Sequence, residues 1–371
     1  MEKTETILRD RVAAFAREQI AARDGLAEAP TFPRDLWRAI GEAGLTRLAL
    51  PAEYGGDGGD LTTLATAAEA MAEFGGVPGV VTTWLGQSLI ARLHVLGLAD
   101  ADQRERFLPA LASGLSVPCL AISEPGAGAH PKHLKTTATR DGEDIVLNGE
   151  KAFLTNGPMA DLFLILAISG EAAGRKQFSV YLVPRDTAGL EQTPGIVVDF
   201  LHPSEHCGLR LTDCRIPAAN RLGPEGDAFE AISLPMRRAE DALFAASNAG
   251  SMRHVLHAIG QAGGDSLGED AMAELGRLAA APDALSAMAH RACELVERGE
   301  ARHHAAIEAI AAFARAASAD WLNGLATLRD KSAMTVPAGL RVLLRDMEKM
   351  LSIAASAHSI RARRRAQALF D

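Results

Sequence analysis

The chain has 371 residues, 48% of them hydrophobic and 23% charged, and a formal net charge of −9 at pH 7. That length allows two or three structural units with a real buried core, and the acidic balance excludes a general nucleic-acid binder, whose phosphate contacts need clustered Lys and Arg. No run approaches the ~18 apolar residues of a membrane span, and the opening Met1-Glu2-Lys3-Thr4-Glu5 lacks the apolar segment of a signal peptide, so a cytoplasmic protein is expected.

Residues 4–23 place Ile7, Leu8, Val12, Phe15 and Ile20 at helical spacing, which predicts an amphipathic helix. Thr31-Phe32-Pro33 opens a second helix, with proline near its first turn, carrying Leu36, Trp37 and Ile40 and ending at Gly41 to Gly44. Pro51 to Gly59 is a glycine-rich loop that lacks the Lys-Ser/Thr of a phosphate-binding loop. Helical stretches follow at Leu61–Phe74, Val80–Leu98 and Asp102–Leu111.

The pattern switches at Ser116. Strands are expected at Val117–Ser123, Lys135–Arg140, Ile145–Leu147, Leu162–Ile168, Phe178–Val183 and Gly195–Phe200, with an exit at Ile216 to Asn220. Asp141-Gly142 between strand formers marks a hairpin. Asn148-Gly149-Glu150 reads as a tight turn before a short strand, Lys151–Thr155. Beyond Gly226 the chain is helical and rich in alanine, with long helices expected at Phe229–Ile259, Glu269–Glu297, His303–Lys331 and Leu340–Phe370. Breaks at Gly263-Gly264, Gly299 and Pro337 would join antiparallel neighbours in a four-helix bundle. The fold class is α+β: an all-helical N-terminal domain (residues 1–115), a central β-barrel or sandwich (116–222) and a C-terminal four-helix bundle (223–371).

Two glycine-bent loops lie at neighbouring strand ends, Leu120 to His130 and Asn148 to Gly157. One carries hydroxyls and the other an aromatic, which suits a flat polar heterocycle held against backbone N–H groups. The plain alternative is a pair of ordinary β-domain corners. His202, His206 and Cys207 have metal-like chemistry but lack a convincing further ligand. Gly126-x-Gly128 is not a dinucleotide fingerprint, because the third glycine and a following acidic residue are missing. Cys119, Cys207, Cys214 and Cys293 show no CxxC spacing and read as small buried hydrophobes in a reducing compartment. Arg361 to Arg365 reads as a solvated last helical turn.

Ser123-Glu-Pro-Gly-Ala-Gly128 followed by Leu147-Asn-Gly-Glu-Lys-Ala-Phe-Leu-Thr-Asn-Gly157 resembles the acyl-CoA dehydrogenase family. Pro51-Ala-Glu-Tyr-Gly-Gly56 and Tyr181-Leu-Val-Pro184 extend the match, which covers the first two-thirds of the chain well and the last third poorly. The resemblance implies FAD-dependent α,β-dehydrogenation of an acyl-CoA thioester in fatty-acid or steroid side-chain metabolism. It also implies an oligomer and, as electron acceptor, an electron-transferring flavoprotein. Leu120, Ile122, Ser123 and Gly128 would line the flavin ring, and Phe153, Leu154 and Thr155 would cover its other side. Ala129 stands where the family has a serine near the thioester arm, and His202 where it usually has arginine.

The C-terminal motifs depart from the family's. Counting forward from Arg345-Asp346 puts Ala354-Ala355-Ser356 in place of Glu-Gly-Thr, so the usual catalytic glutamate is Ala354. A minority branch carries its base on the first bundle helix, where this chain has Glu240, followed by Asp241 instead of arginine. The segments expected to hold the cofactor's diphosphate are Asp265 to Gly268 and Asp330 to Met334, which bring carboxylates where phosphates would lie. Two expectations follow: a divergent dehydrogenase using Glu240, or a catalytically degenerate subunit that pairs with a complete homologue.

Overall fold

The computed structural model describes residues 2–195, 198–262, 267–332, 336–367 and 369–370, and the chain runs helices, strands, helices. The first helices are α1 (Glu2–Phe15), α2 (Arg34–Glu42), α3 (Leu61–Gly75), α4 (Pro78–Leu89) and α5 (Ala101–Ala112). Helix α4 continues as a π-helical stretch, Ile90–Leu96. Helix α5 starts where its sequence requires: the Asp100 carboxylate accepts from the Gln103 N–H at 2.8 Å, and the Gln103 side chain accepts from the Asp100 N–H at 3.3 Å.

Eight strands follow: β1 (Pro118–Ala121), β2 (Thr137–Asp141), β3 (Asp144–Thr155), β4 (Leu162–Ala172), β5 (Arg175–Pro184), β6 (Leu190–Thr193), β7 (His206–Pro217) and β8 (Arg221–Leu222). They form one sheet in the order β6-β7-β3-β2-β4-β5-β8. Strands β1 and β2 both run parallel to β4, and the remaining pairs are antiparallel. The sheet core is built from inward side chains such as Leu147, Leu154, Phe163, Ile165, Tyr181, Val183, Leu209 and Leu211. The C-terminal helices are α6 (Ala228–Gln261), α7 (Glu269–Arg298), α8 (His304–Lys331), α9 (Arg341–Ser352) and α10 (Ala355–Gln367). Among the described residues no helix is long and apolar enough to cross a membrane.

Three expectations change. Asn148 to Glu150 is not a turn: β3 runs unbroken through it, and its register against β7 shifts between Leu147 and Gly149. Gly149 has φ of 145°, and a Cβ there would sit 2.6 Å from the Thr136 hydroxyl, so glycine allows the irregularity. The expected strand at 195–200 has no strand among its described residues, and residues 196–197 lie outside them. The other edge of β3, away from β2, pairs with β7, whose Leu209, Arg210 and Leu211 alternate in and out. The last long helix breaks at Ile353 and Ala354, where Ala354 takes φ of 56°. The proposed break at Gly263-Gly264 lies outside the described residues.

The chain forms two compact units: residues 1–28, 61–81 and 238–371 in one, 29–60 and 82–237 in the other. In the first, α6 crosses α3 so closely that a Cβ at Gly250 would sit 2.2 Å from the Glu69 carbonyl oxygen. Trp321 donates its indole N–H to Leu278 O at 2.9 Å, joining α8 to α7. In the second, Trp84 donates to Leu45 O at 2.8 Å and Trp37 to Gly114 O at 2.9 Å, so each buried indole is satisfied.

Candidate functional site

The two loops singled out by sequence are knitted together in the second unit. The Ala152 N–H donates to Ser123 O at 2.9 Å. Behind that contact Lys151, with a fully buried side chain, donates to Ile122 O at 3.1 Å and to the Glu124 carboxylate at 3.0 Å. Glu124 also accepts from the Lys135 N–H at 2.6 Å and the Thr136 N–H at 2.9 Å. Burial pushes Lys151 down to about 8, although Glu124 opposes this. Burial pushes the Glu124 carboxyl up, but the Lys151 ammonium and the hydrogen bonds from Thr136 and Lys135 outweigh it and hold the group below its ordinary value.

This pair fixes the peptide planes of the loop. In a trans peptide the C=O and the following N–H point in opposite directions. Because Ile122 O faces Lys151, the Ser123 N–H faces away from it. Paired bonds of 3.0 Å between Glu124 and Gly128 close the Pro125 to Ala127 bend, and Gly126 and Gly128 supply its left-handed conformations. Ser123 is half-buried, and its hydroxyl brings one proton and two lone pairs to the loop.

On β3 the register shifts between Lys151 and Leu154, which inserts one extra residue and pushes Phe153 outward. Phe153 has φ of 58° and is 44% exposed, a costly conformation for an aromatic and of a kind concentrated at ligand sites. Leu154 turns the other way: its side chain is buried in the sheet core, leaving only its backbone for a ligand. The Thr155 carbonyl accepts from the Cys119 thiol at 3.2 Å, and the Thr155 hydroxyl lies 3.1 Å from His206 Nε2. Leu120 and Ile122 are half-buried on or just beyond β1, and Ala129 is exposed.

The other predicted positions belong to the first unit. Glu240 is on the exposed side of α6. Its neighbour Asp241 is buried and accepts from Arg361 at 2.9 Å, with Arg315 and His358 each at 3.9 Å. Ala354 sits exposed in the turn between α9 and α10. The two segments expected to hold the diphosphate converge on a cleft of about 520 Å³ lined by Leu267 to Ala271 with Lys331 and Ser332. Glu269 and Asp270 outnumber the one ammonium there, the wrong balance for a diphosphate. Asp265, Ser266, Ala333 and Met334 lie outside the described residues. Among the described residues no group of three His, Cys, Asp or Glu side chains could hold a metal ion.

Sequence reasoning missed Lys151, Glu124 and His206 as parts of this site. A lysine inside an apolar strand was the available signal for the first pair. His206 was visible only as a residue of metal-like type.

Residues 2–115 match the acyl-CoA dehydrogenase N-terminal domain, and residues 119–214 the acyl-CoA dehydrogenase middle domain. The chain is 30% identical over 226 residues to an acyl-CoA dehydrogenase of Bacillus subtilis, a likeness that covers 61% of this chain and 59% of that relative. Its fold superposes on butyryl-CoA dehydrogenase from Megasphaera elsdenii with a TM-score of 0.83 at 20% identity, over 99% of this chain and 98% of that one. The fold is also shared with PigA, solved as an FAD complex, with a TM-score of 0.80 at 20% identity over 94% and 92% of the two chains. The chain belongs to the acyl-CoA dehydrogenase family. Helical N-terminal, central sheet and C-terminal helical parts are the architecture of that family.

FAD is the cofactor this family implies. The residues present fit its ring: an outward aromatic at Phe153, a hydroxyl at Thr155, and a Ser123 N–H turned away from the buried ammonium by a locked peptide plane.

Proposed function

We propose that this chain binds FAD and removes hydrogen from the α and β carbons of an acyl-CoA thioester. Supporting this reading above all is the Lys151–Glu124 pair tying loops 120–124 and 151–155 into one rigid frame. When bound, FAD supplies hydride acceptance. The chain's own residues would do the rest. Leu120, Ile122, Ser123 and Gly128 would line one side of the ring and Phe153, Thr155 and the Leu154 backbone the other. Ala129 would lie beside the thioester arm without offering it a hydroxyl, and Glu240 would take the proton next to the carbonyl. The working domains would be residues 1–115, 116–222 and 223–371. An electron-transferring flavoprotein would receive the electrons.

The test is purification of the full chain, its visible spectrum, and turnover of a panel of acyl-CoA thioesters with an artificial acceptor. Yellow protein with measurable turnover supports the reading. Glu240→Gln should then lower the rate by about 10²–10⁴, the worth of a positioned base. Unchanged turnover in that variant would move the base elsewhere.

Ala354 favours a second reading, because alanine in the α9–α10 turn cannot accept a proton. In that reading the chain is a subunit whose complete homologue provides the base and the diphosphate site. It predicts colourless, inactive protein alone and a yellow, active complex on co-expression with such a homologue.

A further inference from the structure

Thr155 and His206 are direct partners across the β3–β7 ladder, and the Thr155 hydroxyl lies 3.1 Å from His206 Nε2. The Thr155 backbone is pinned by that ladder and by the Cys119 thiol on its carbonyl, which leaves the hydroxyl rotor as its adjustable part. A hydroxyl has one proton and two lone pairs. If it donates to His206, only lone pairs remain for a ligand. If His206 donates to it, its proton is available on the open side. Burial, reinforced by the nearby His202, keeps the His206 imidazole below its ordinary pKa, so the neutral ring has a single N–H to place. The edge of a flavin ring is mostly acceptors, two carbonyl oxygens and two ring nitrogens against one N–H. One ordering therefore uses every proton once.

We infer that His206 is a positioning residue that donates from Nε2 to Thr155 Oγ1 and so aims the Thr155 hydroxyl proton at an acceptor on the flavin edge. This rests on the flavin reading above. It assigns His206 a role that neither its residue type nor its strand position revealed in the sequence.

The test uses the full chain, with FAD affinity measured by equilibrium dialysis and the visible absorption band recorded alongside the melting temperature of the flavin-free protein. His206→Phe should weaken FAD binding roughly 3–10-fold, the worth of one hydrogen bond, and shift the visible band. His206→Gln, whose amide can donate, should stay within about twofold of wild type. Thr155→Val removes the hydroxyl at constant shape and should reproduce the loss and the band shift. Adding His206→Phe to Thr155→Val should cost nothing further, because the histidine acts only through the hydroxyl. A His206→Phe protein that binds as wild type with an unmoved band overturns the inference alone. So does a loss that persists undiminished in the Thr155→Val background, or a Thr155→Val protein indistinguishable from wild type. Wild-type protein that binds no flavin overturns the flavin reading and this inference with it.

Discussion

Lys151→Met probes the frame directly. The Lys151 side chain is 0% exposed and that of Glu124 6%, so the substitution leaves a buried carboxylate without its counter-charge. Removing one partner of a buried pair costs about 3–5 kcal/mol. Glu124 would keep its two backbone donors from Lys135 and Thr136, which places the expected loss at the lower end, about 3 kcal/mol. At roughly 2 °C per kcal/mol for a chain of this size, the melting temperature at pH 7 should fall by about 6 °C. Lys151→Met combined with Glu124→Gln should recover most of that, since no uncompensated charge remains.

The pH dependence gives a sharper check. In wild type the Glu124 carboxyl is held below its ordinary value of 4.5, so its contribution is present above that pH and lost as pH falls through the folded-state value. In Lys151→Met the burial remains and the ammonium is gone, so the carboxyl should titrate higher than in wild type. Acidification would then cost the variant less than it costs wild type, and the gap between their melting temperatures should narrow toward pH 4.5. A variant melting within about 1 °C of wild type at pH 7 refutes the reasoning. A gap that stays constant with pH does so too.

Three further outcomes are expected. Gly250→Ala forces α3 and α6 apart, because its Cβ would meet the Glu69 carbonyl oxygen at 2.2 Å; a loss of about 3 kcal/mol, the upper end for overpacking, should appear in denaturant melts. His94 is fully buried with neither ring nitrogen hydrogen-bonded, and burial pushes it down to about 4. Its neutral form therefore contributes stability present above pH 6.5 and lost as pH falls toward about 4, and His94→Leu should flatten the acid side of the stability profile over that window. Ala354→Gly relieves a left-handed alanine at φ of 56°, and calorimetry should show it neutral to about 1 kcal/mol more stable.

Helices were legible where alanine-rich runs were long, as in α3, α6, α7 and α8, whereas the Asp100–Gln103 cap that fixes the start of α5 emerges only in the structure. The errors occurred where side-chain chemistry pointed one way and tertiary pairing the other. Asn148-Gly149 has turn residues, yet β7 pairs on both sides of it, and the Asn148 side chain accepts from the Asp213 N–H at 2.8 Å. The alternation of Leu209, Arg210 and Leu211 follows directly on His206 and Cys207, whose metal-like chemistry competes with a strand reading. At the site, motif position marked Ser123, Phe153 and Thr155. It did not mark the outward bulge that exposes Phe153 or the core packing of Leu154, because both depend on a one-residue register shift. Lys151 is harder to read, since a buried lysine makes sense only once Glu124 is brought beside it from 27 residues away.

Glu240 and Asp241 carry the remaining question about chemistry. Adjacent carboxylates raise one another's pKa only if both charges stay uncompensated and close. Successive residues on a helix point about 100° apart, and these two separate accordingly: Asp241 is buried and Glu240 exposed. Asp241 is also neutralised by Arg361 at 2.9 Å, with Arg315 and His358 nearby, so little repulsion is left to tune Glu240. A general base at this position works through the surroundings that set its basicity. As a working base, Glu240 would be tuned by something other than repulsion from Asp241. Asp241→Asn then discriminates. As the sole source of tuning, Asp241 would take the activity with it on substitution. With its charge already neutralised, Asp241→Asn should lower the melting temperature by a few degrees, about the cost of depriving Arg361 of its carboxylate while His358 stays at 2.9 Å, and leave the pH-rate profile where it was.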